Sequence, residues 1–279
     1  MRDLRDWPEI NKDFSLKGKA AIVTGGVGLL GKKFSEGLAS QGARVAVVDL
    51  EEGRSKKVAR QISERYHVKT VGIGCDVASP ESVKAMVGTA VKALGGIHIL
   101  LNNAASKSDD LKEYFKRFED YSLAEWRQVM SVNIDGAFLV AQQVGKQMIR
   151  QGKGGSIIQT ASIYGIMGPD HRIYQGSFYL GRPIASPAVY SASKGALVAL
   201  TKYLATYWAK HGIRVNTLTP GGVESGQNRS FVKKYSARIP LGRMAEPEEL
   251  VGAVIYLASN DSAYLTGHNL VVDGGLSAW

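Results

Sequence analysis

Short apolar runs recur along the chain: "AAIVT", "RVAVVD", "TVGIGCD", "IHILLNNA", "GSIIQTAS", "IRVNTLTP" and "NLVVDGG", separated by amphipathic stretches of helix length. Their near-continuous hydrophobicity predicts strands buried on both faces, as in a parallel sheet covered by helices; a half-solvated strand would alternate apolar and polar positions. Between the first two runs Leu30, Phe34 and Leu38 fall on one helical face. After the third, "PESVKAMVGTAVKAL" opens with Pro80 just inside a Ser79 cap. The pattern predicts an α/β fold, a doubly wound parallel sheet of about seven strands flanked by helices. One domain is expected over residues 17–279, after an N-terminal arm at 1–16.

Composition narrows the setting. No apolar run approaches the length of a membrane span, and the N-terminus carries charges and Trp-Pro but no apolar stretch before a small-residue cleavage site. No membrane association or secretory signal is expected. The single cysteine, Cys75, cannot form an internal disulfide and sits in an apolar run, where it reads as a buried small side chain. A cytoplasmic location fits. The formal charge of +10, from 35 Lys and Arg against 25 Asp and Glu, would suit a nucleic acid, an acidic carrier protein or an anionic small molecule. The basic residues are scattered without interleaved aromatics, which argues against nucleic acid.

Candidate chemistry begins at "VTGGVGLLG", residues 23–31. The turn follows a predicted strand and precedes a predicted helix, so free N–H groups and the positive end of the helix dipole can face a pyrophosphate. Alone it could be a plain tight turn. Asp49 ends the second strand where a carboxylate would accept adenosine ribose hydroxyls, although a strand-end Asp can also simply cap. Asp76 after the third strand and "NNAA" after the fourth put small and polar residues at the carboxyl ends of consecutive strands, where open α/β sheets bind ligands. Further on, "VYSASKGAL" places Tyr190 and Lys194 on one helical face. An ammonium beside a phenol favours the phenolate, which suits acid–base chemistry; an ordinary exposed pair is the alternative.

Taken together, "TGG" with Gly31, Asp49, Asp76, "NNAA", "VNIDG", "TAS", "YSASK", "NTLTPGG" and "VVDGG" resemble the short-chain dehydrogenase/reductase family over nearly the whole chain. The resemblance implies a Rossmann-type fold with Tyr190 as acid or base at the carbinol. Lys194 would tune Tyr190 and hold the nicotinamide ribose, Ser162 would bond the substrate oxygen, and Asn133 would position a water in a proton relay. The residues facing the nucleotide would be Gly25, Gly28, Leu29, Leu30 and Gly31 in the turn, then Asp49, Leu50, Asp76 and Val77. Asn103, Ala104 and Ala105 would follow, with Tyr190, Lys194, Pro220, Gly221, Val223 and Ser225 near the nicotinamide. NAD is expected over NADP, because Asp49 is followed by Glu51 and Glu52 with no arginine beside it to take an added phosphate. No metal is expected, and His98 reads as a strand-end histidine. Leu29 departs from the family by standing where a glycine is usual, with Gly28 one residue earlier restoring the close approach.

A larger departure is an insert at residues 163–189, long for the family and placed between Ser162 and Tyr190. It carries Tyr164, Arg172, Tyr174 and Arg182 as candidate substrate contacts, and its glycines and prolines forbid a long helix. Residues 222–245 would form a lid. Within the family the pattern resembles branches acting on sugars and sugar acids, including surface-glycan and flagellin-modification oxidoreductases. The expected activity is therefore NAD(H)-dependent interconversion of a secondary alcohol and a ketone on a sugar, sugar acid or sugar phosphate. Alternatives are a 3-oxoacyl-carrier-protein ketoreductase and a non-catalytic nucleotide-sensing regulator. The C-terminal segment resembles the family's subunit contacts, so a homotetramer or homodimer is expected.

Overall fold

The strands and helices alternate as the pattern requires: β1 (Ala20–Thr24), α1 (Leu29–Ser40), β2 (Arg44–Asp49), α2 (Glu52–Tyr66), β3 (Thr70–Gly74), α3 (Pro80–Leu94) and β4 (Ile99–Asn102). Then follow α4 (Leu111–Tyr114), α5 (Leu123–Met130), α6 (Ala137–Gln151), β5 (Gly155–Thr160), a small hairpin of β6 (Phe178–Tyr179) and β7 (Arg182–Pro183), and α7 (Ala188–Trp208). The chain closes with β8 (Ile213–Pro220), α8 (Arg229–Ser236), α9 (Val251–Ala258) and β9 (Asn269–Val272). The computed structural model describes residues 14–108, 110–179 and 181–279. Most of the arm at 1–16 lies outside them. Leu16, assigned to that arm, is fully buried and donates its amide to the Gln41 carbonyl at 2.8 Å, so the folded domain already includes it.

Among the described residues, seven strands form one parallel sheet in the order β3-β2-β1-β4-β5-β8-β9. Its centre is buried on both faces, as the continuous apolar runs demand, whereas the edge strands β3 and β9 are largely half-exposed. One face packs on α3, α6 and α7 and the other on α1, α2 and α9, giving two apolar cores. Ser79 caps α3 by accepting from the Ser82 amide at 3.2 Å. The strand order reverses between β1 and β4, which opens a crevice at the carboxyl ends of the strands.

A third, smaller core lies beside that crevice. It joins Ile163, Tyr164 and Ile173 of the insert to Phe231, Tyr235, Ile239 and Met244 of the segment after β8. The insert forms two short 3₁₀ turns, Ile163–Gly165 and His171–Tyr174, and the β6–β7 hairpin, without a long helix. Gly165 is required where the insert leaves β5: a Cβ there would sit 2.7 Å from the Lys194 backbone carbon, so only glycine lets this turn rest on α7.

Candidate active site

Two adjoining hollows occupy the crevice. The first, a groove of about 650 Å³, is lined by the glycine turn, Asp49, Leu50, Asp76, Val77 and Asn103 to Ala105. Its shape is set by backbone. Gly25 has φ +64°, and a Cβ on it would lie 3.0 Å from the Ala104 Cα; a Cβ on Gly31 would overlap the Gly25 carbonyl oxygen. Thr24 knits β1 to β4, its hydroxyl accepting from the Asn103 and Ala104 amides at 3.0 and 3.1 Å. Asp49 accepts from the Val27 and Leu50 amides at 3.1 and 2.9 Å, which holds its carboxylate against the glycine turn. Gly28, at the N-cap of α1, adds no side chain over the helix N-terminus. A dipole-favoured, side-chain-free turn facing a fixed carboxylate fits a dinucleotide, with the pyrophosphate at α1 and the adenosine ribose at Asp49.

Leu29 is accommodated by turning outward. It opens α1, is 48% exposed and lines both hollows, so it forms part of the partition between them. One residue escaped the sequence reading here: Arg54 of α2 reaches the groove rim, with Nη1 3.3 Å from Glu51 Oε1. The sequence reading sought a cation next to Asp49 and passed over one a helical turn further on.

The second hollow, a cleft of about 390 Å³, holds the catalytic candidates Ser162, Tyr190 and Lys194 with Pro220, Gly221, Val223 and Ser225. Ser162 ends β5 and Tyr190 and Lys194 lie near the start of α7, so sheet and helix meet at the chemistry. Burial raises the Tyr190 phenol, and a hydrogen bond with Ser162 opposes that rise. Burial also pulls Lys194 down, to about 8. Its Nζ donates to the Thr160 carbonyl at 2.9 Å and lies 5.9 Å from the Tyr190 ring centroid. Ser162 also caps the turn after it, accepting from the Tyr164 amide at 3.3 Å.

Asn133 is buried in a π-helical turn, Ser131–Gly136, between α5 and α6. Its Oδ1 accepts from the Ser106 amide at 2.8 Å, and its Nδ2 donates to Ser193 Oγ at 3.2 Å, which ties the loop after β4 to α7. The relay expected of Asn133 finds its side chain committed to protein partners. His98, at the opposite end of the sheet, accepts from the Ala20 amide at 3.1 Å through Nδ1.

The substrate candidates divide. Tyr164 and Tyr174 line the cleft and an adjoining recess of about 210 Å³, and Tyr174 donates its hydroxyl to Tyr164 at 3.2 Å. The chain of hydroxyls continues to Ser186 at one end and Tyr235 at the other. Burial raises all three of these phenols, so they stay neutral donors and acceptors. Arg172 does not join them: its side chain is 86% exposed and turned onto Asp170, with Nε at 2.9 Å from Oδ1 and Nη2 at 2.9 Å from Oδ2. A neighbouring carboxylate two residues earlier in the chain captures the guanidinium. Arg182 lies in β7, and the substrate contact expected of its side chain falls outside the described residues. Val223, Ser225, Gln227, Phe231 and Met244, from the segment 222–245 expected to form a lid, wall the cleft. Lys107, Gln227 and Tyr235 were missed; Lys107 lies just beyond the "NNAA" signal, and the other two reach the site only through tertiary packing. Among the described residues no helix is long and apolar enough to cross a membrane.

Similarity to known proteins agrees with this geometry. The family model described as enoyl-(acyl carrier protein) reductase matches residues 28–277. A 3-oxoacyl-[acyl-carrier-protein] reductase of Aquifex aeolicus is 32% identical over 268 residues, 95% of this chain and 99% of that protein. The solved gluconate 5-dehydrogenase of Burkholderia cenocepacia, in complex with NADP and tartrate, superposes with a TM-score of 0.84 at 32% identity, covering 96% of this chain and 98% of that one. An NAD+-bound xylitol dehydrogenase gives a TM-score of 0.81 at 30% identity, covering 93% and 99%.

Proposed function

The chain belongs to the short-chain dehydrogenase/reductase family and is an oxidoreductase of CH–OH groups; from that premise we propose that it interconverts a polyhydroxylated secondary alcohol and its ketone with NAD(H). The observation that carries the substrate reading is the chain of hydroxyls from Ser186 through Tyr174 and Tyr164 to Tyr235, set beside Ser162 and Tyr190. Neutral hydroxyls linked within one wall keep lone pairs that a ligand with several hydroxyls can use and an acyl chain cannot. The relatives that act on gluconate and xylitol support a sugar, sugar acid or sugar phosphate.

A nicotinamide held by Lys194, Pro220, Gly221, Val223 and Ser225 would supply hydride acceptance or donation at the carbinol carbon. Ser162 holds the carbinol oxygen and Tyr190 takes its proton during oxidation or gives it back during reduction. Lys194, anchored on Thr160, supplies positive charge that stabilises the phenolate and holds the nicotinamide ribose. Asn133 positions the loop after β4 against α7. Asp49 selects NAD by accepting ribose hydroxyls, and Glu51 beside Arg54 adds a second carboxylate that disfavours an added phosphate. The stacked, exposed Tyr203 and Tyr207 on α7 support a homo-oligomer, and the cytoplasm remains the proposed location.

Nucleotide reduction should be measured with NAD and NADP against alditols, aldonates and sugar phosphates, beside reduction of a β-ketoacyl thioester. Turnover of sugar-like alcohols with NAD supports the reading. Efficient thioester reduction with none of them replaces it by the carrier-protein ketoreductase.

A further inference from the structure

A further cavity, of about 350 Å³, lies at the amino ends of the strands, at the opposite end of the sheet from the catalytic crevice. It is walled by strand starts: Lys19 just before β1, His98 just before β4, Gly155 opening β5 and Ile213 opening β8. Backbone meets backbone in its wall. Gly154 has φ +64°, and a Cβ on it would overlap the Gly212 carbonyl oxygen, so only glycine brings the turn before β5 against the turn before β8.

The charge of this cavity is of one sign. Lys19, Lys153 and Arg214 line it, and among the described residues no aspartate or glutamate does. Arg214 is anchored: its Nη2 donates to the Leu257 and Ser259 carbonyls at 2.9 and 3.0 Å, and its Nη1 to the Leu265 carbonyl at 3.2 Å. It thereby serves the carboxyl end of α9, as cations do at helix ends, but its partners carry no formal charge to cancel its own. Lys19 and Lys153 do not share that duty: among the described residues neither side chain bonds a carbonyl or pairs with a carboxylate. His98 joins the same field. With Nδ1 accepting from the Ala20 amide at 3.1 Å, the neutral ring carries its proton on Nε2 as a donor. Burial, and after it the charges of Lys19, Arg44 and Lys153, hold the ring below its ordinary pKa, so cations converge on it from three sides of the chain.

We propose that this cavity is a second binding site, for a phosphate group on a small anion, separate from the catalytic crevice. Its size suits a small ligand. A phosphate offers several acceptor oxygens that an anchored guanidinium, two ammoniums and an imidazole N–H can share, and a multiply charged anion balances clustered cations that water alone must otherwise solvate. Part of the net charge of +10, which the catalytic crevice does not use, is spent here. An occupant touching four strand starts and the end of α9 ties these segments together, and stabilises the folded chain by mass action.

The test is a set of thermal melts and direct titrations on the NAD-saturated protein, so that the nucleotide groove is already filled. Inorganic phosphate, pyrophosphate and glycerol phosphate are compared with sodium chloride at equal ionic strength. At least one phosphate should raise the Tm above the chloride control. A monoester that outdoes inorganic phosphate identifies a phosphorylated metabolite as the source, and the reverse order identifies the free ion. The double variant Lys19→Met, Lys153→Met should weaken anion binding by ~10-fold or more and keep the NAD affinity of the native protein. Lys153→Glu, at an exposed position where folding is not at stake, should remove the Tm rise by itself. No rise above the chloride control, a rise that persists in both variants, or a rise seen only without NAD overturns the inference.

Discussion

The two hollows of the crevice are made by different means. The nucleotide groove is held through main-chain amides: Gly26 donates to the Val48 carbonyl at 2.8 Å, Asn103 and Ala104 to the Thr24 hydroxyl, and Val27 to the Asp49 carboxylate. The substrate cleft is side chain against side chain, a satellite core in which the insert meets the lid across dozens of residues of sequence. A groove of backbone is intolerant of any added atom yet indifferent to most side chains around it. A wall of side chains can be re-cut residue by residue, so one fold can keep its cofactor and change its substrate.

The sharpest break to this comparison is at the place where both halves meet. Tyr190→Phe removes the transferable proton while leaving the ring in its packing, so turnover should fall at least ~100-fold with nucleotide affinity preserved. Steady-state kinetics beside a nucleotide-binding titration decide it. Turnover near the native rate would mean that the proton passes through another group.

Next in size is the groove. Gly31→Ala puts a Cβ into the Gly25 carbonyl oxygen, and neither partner is a flexible side chain that can move aside. Overpacking of this kind costs about 1–3 kcal/mol, and the displaced turn should weaken NAD binding by ~10-fold or more. Thermal melts with and without NAD test both parts. Unchanged binding would show that the pyrophosphate does not sit on this turn.

The same contrast explains how much could be read from the chain. The strands were legible because burial on both faces writes a continuous apolar run, and Gly31, Asp49, Asn103 and Tyr190 because each is fixed by a short local pattern. Cleft residues such as Tyr235 and Gln227 carry no such pattern; the helix α8 and the turns of the insert bring them together only in three dimensions. Arg172 failed for a local reason that was also visible in the chain. Asp170 lies two residues before it, near enough to claim two of the three guanidinium nitrogens, Nε and Nη2. Leu29 was the reverse case: an apparent defect in the turn became a surface residue once α1 began there.

Arg172 also supplies the smallest expected effect. Arg172→Ala should change kcat/KM less than about twofold and leave stability almost unchanged, since an exposed pair is largely screened. Asp170 would keep the residue-172 amide, now at 3.0 Å, and Arg238, whose Nε lies 3.6 Å away. The Arg172 side chain and backbone hold the Asp170 carboxyl at about 2, below its ordinary 3.8. A depressed carboxylate contributes stability above the unfolded value and loses it as pH falls through the folded one, so any difference between native and variant should be present at neutral pH. It should close as the pH drops from about 4 towards 2. Melting curves across that range, with kcat/KM measured at neutral pH, check both statements. A tenfold loss of kcat/KM in Arg172→Ala would show that the insert's guanidinium leaves Asp170 to reach substrate, and the side-chain wall of the cleft would then extend to the insert's exposed turn.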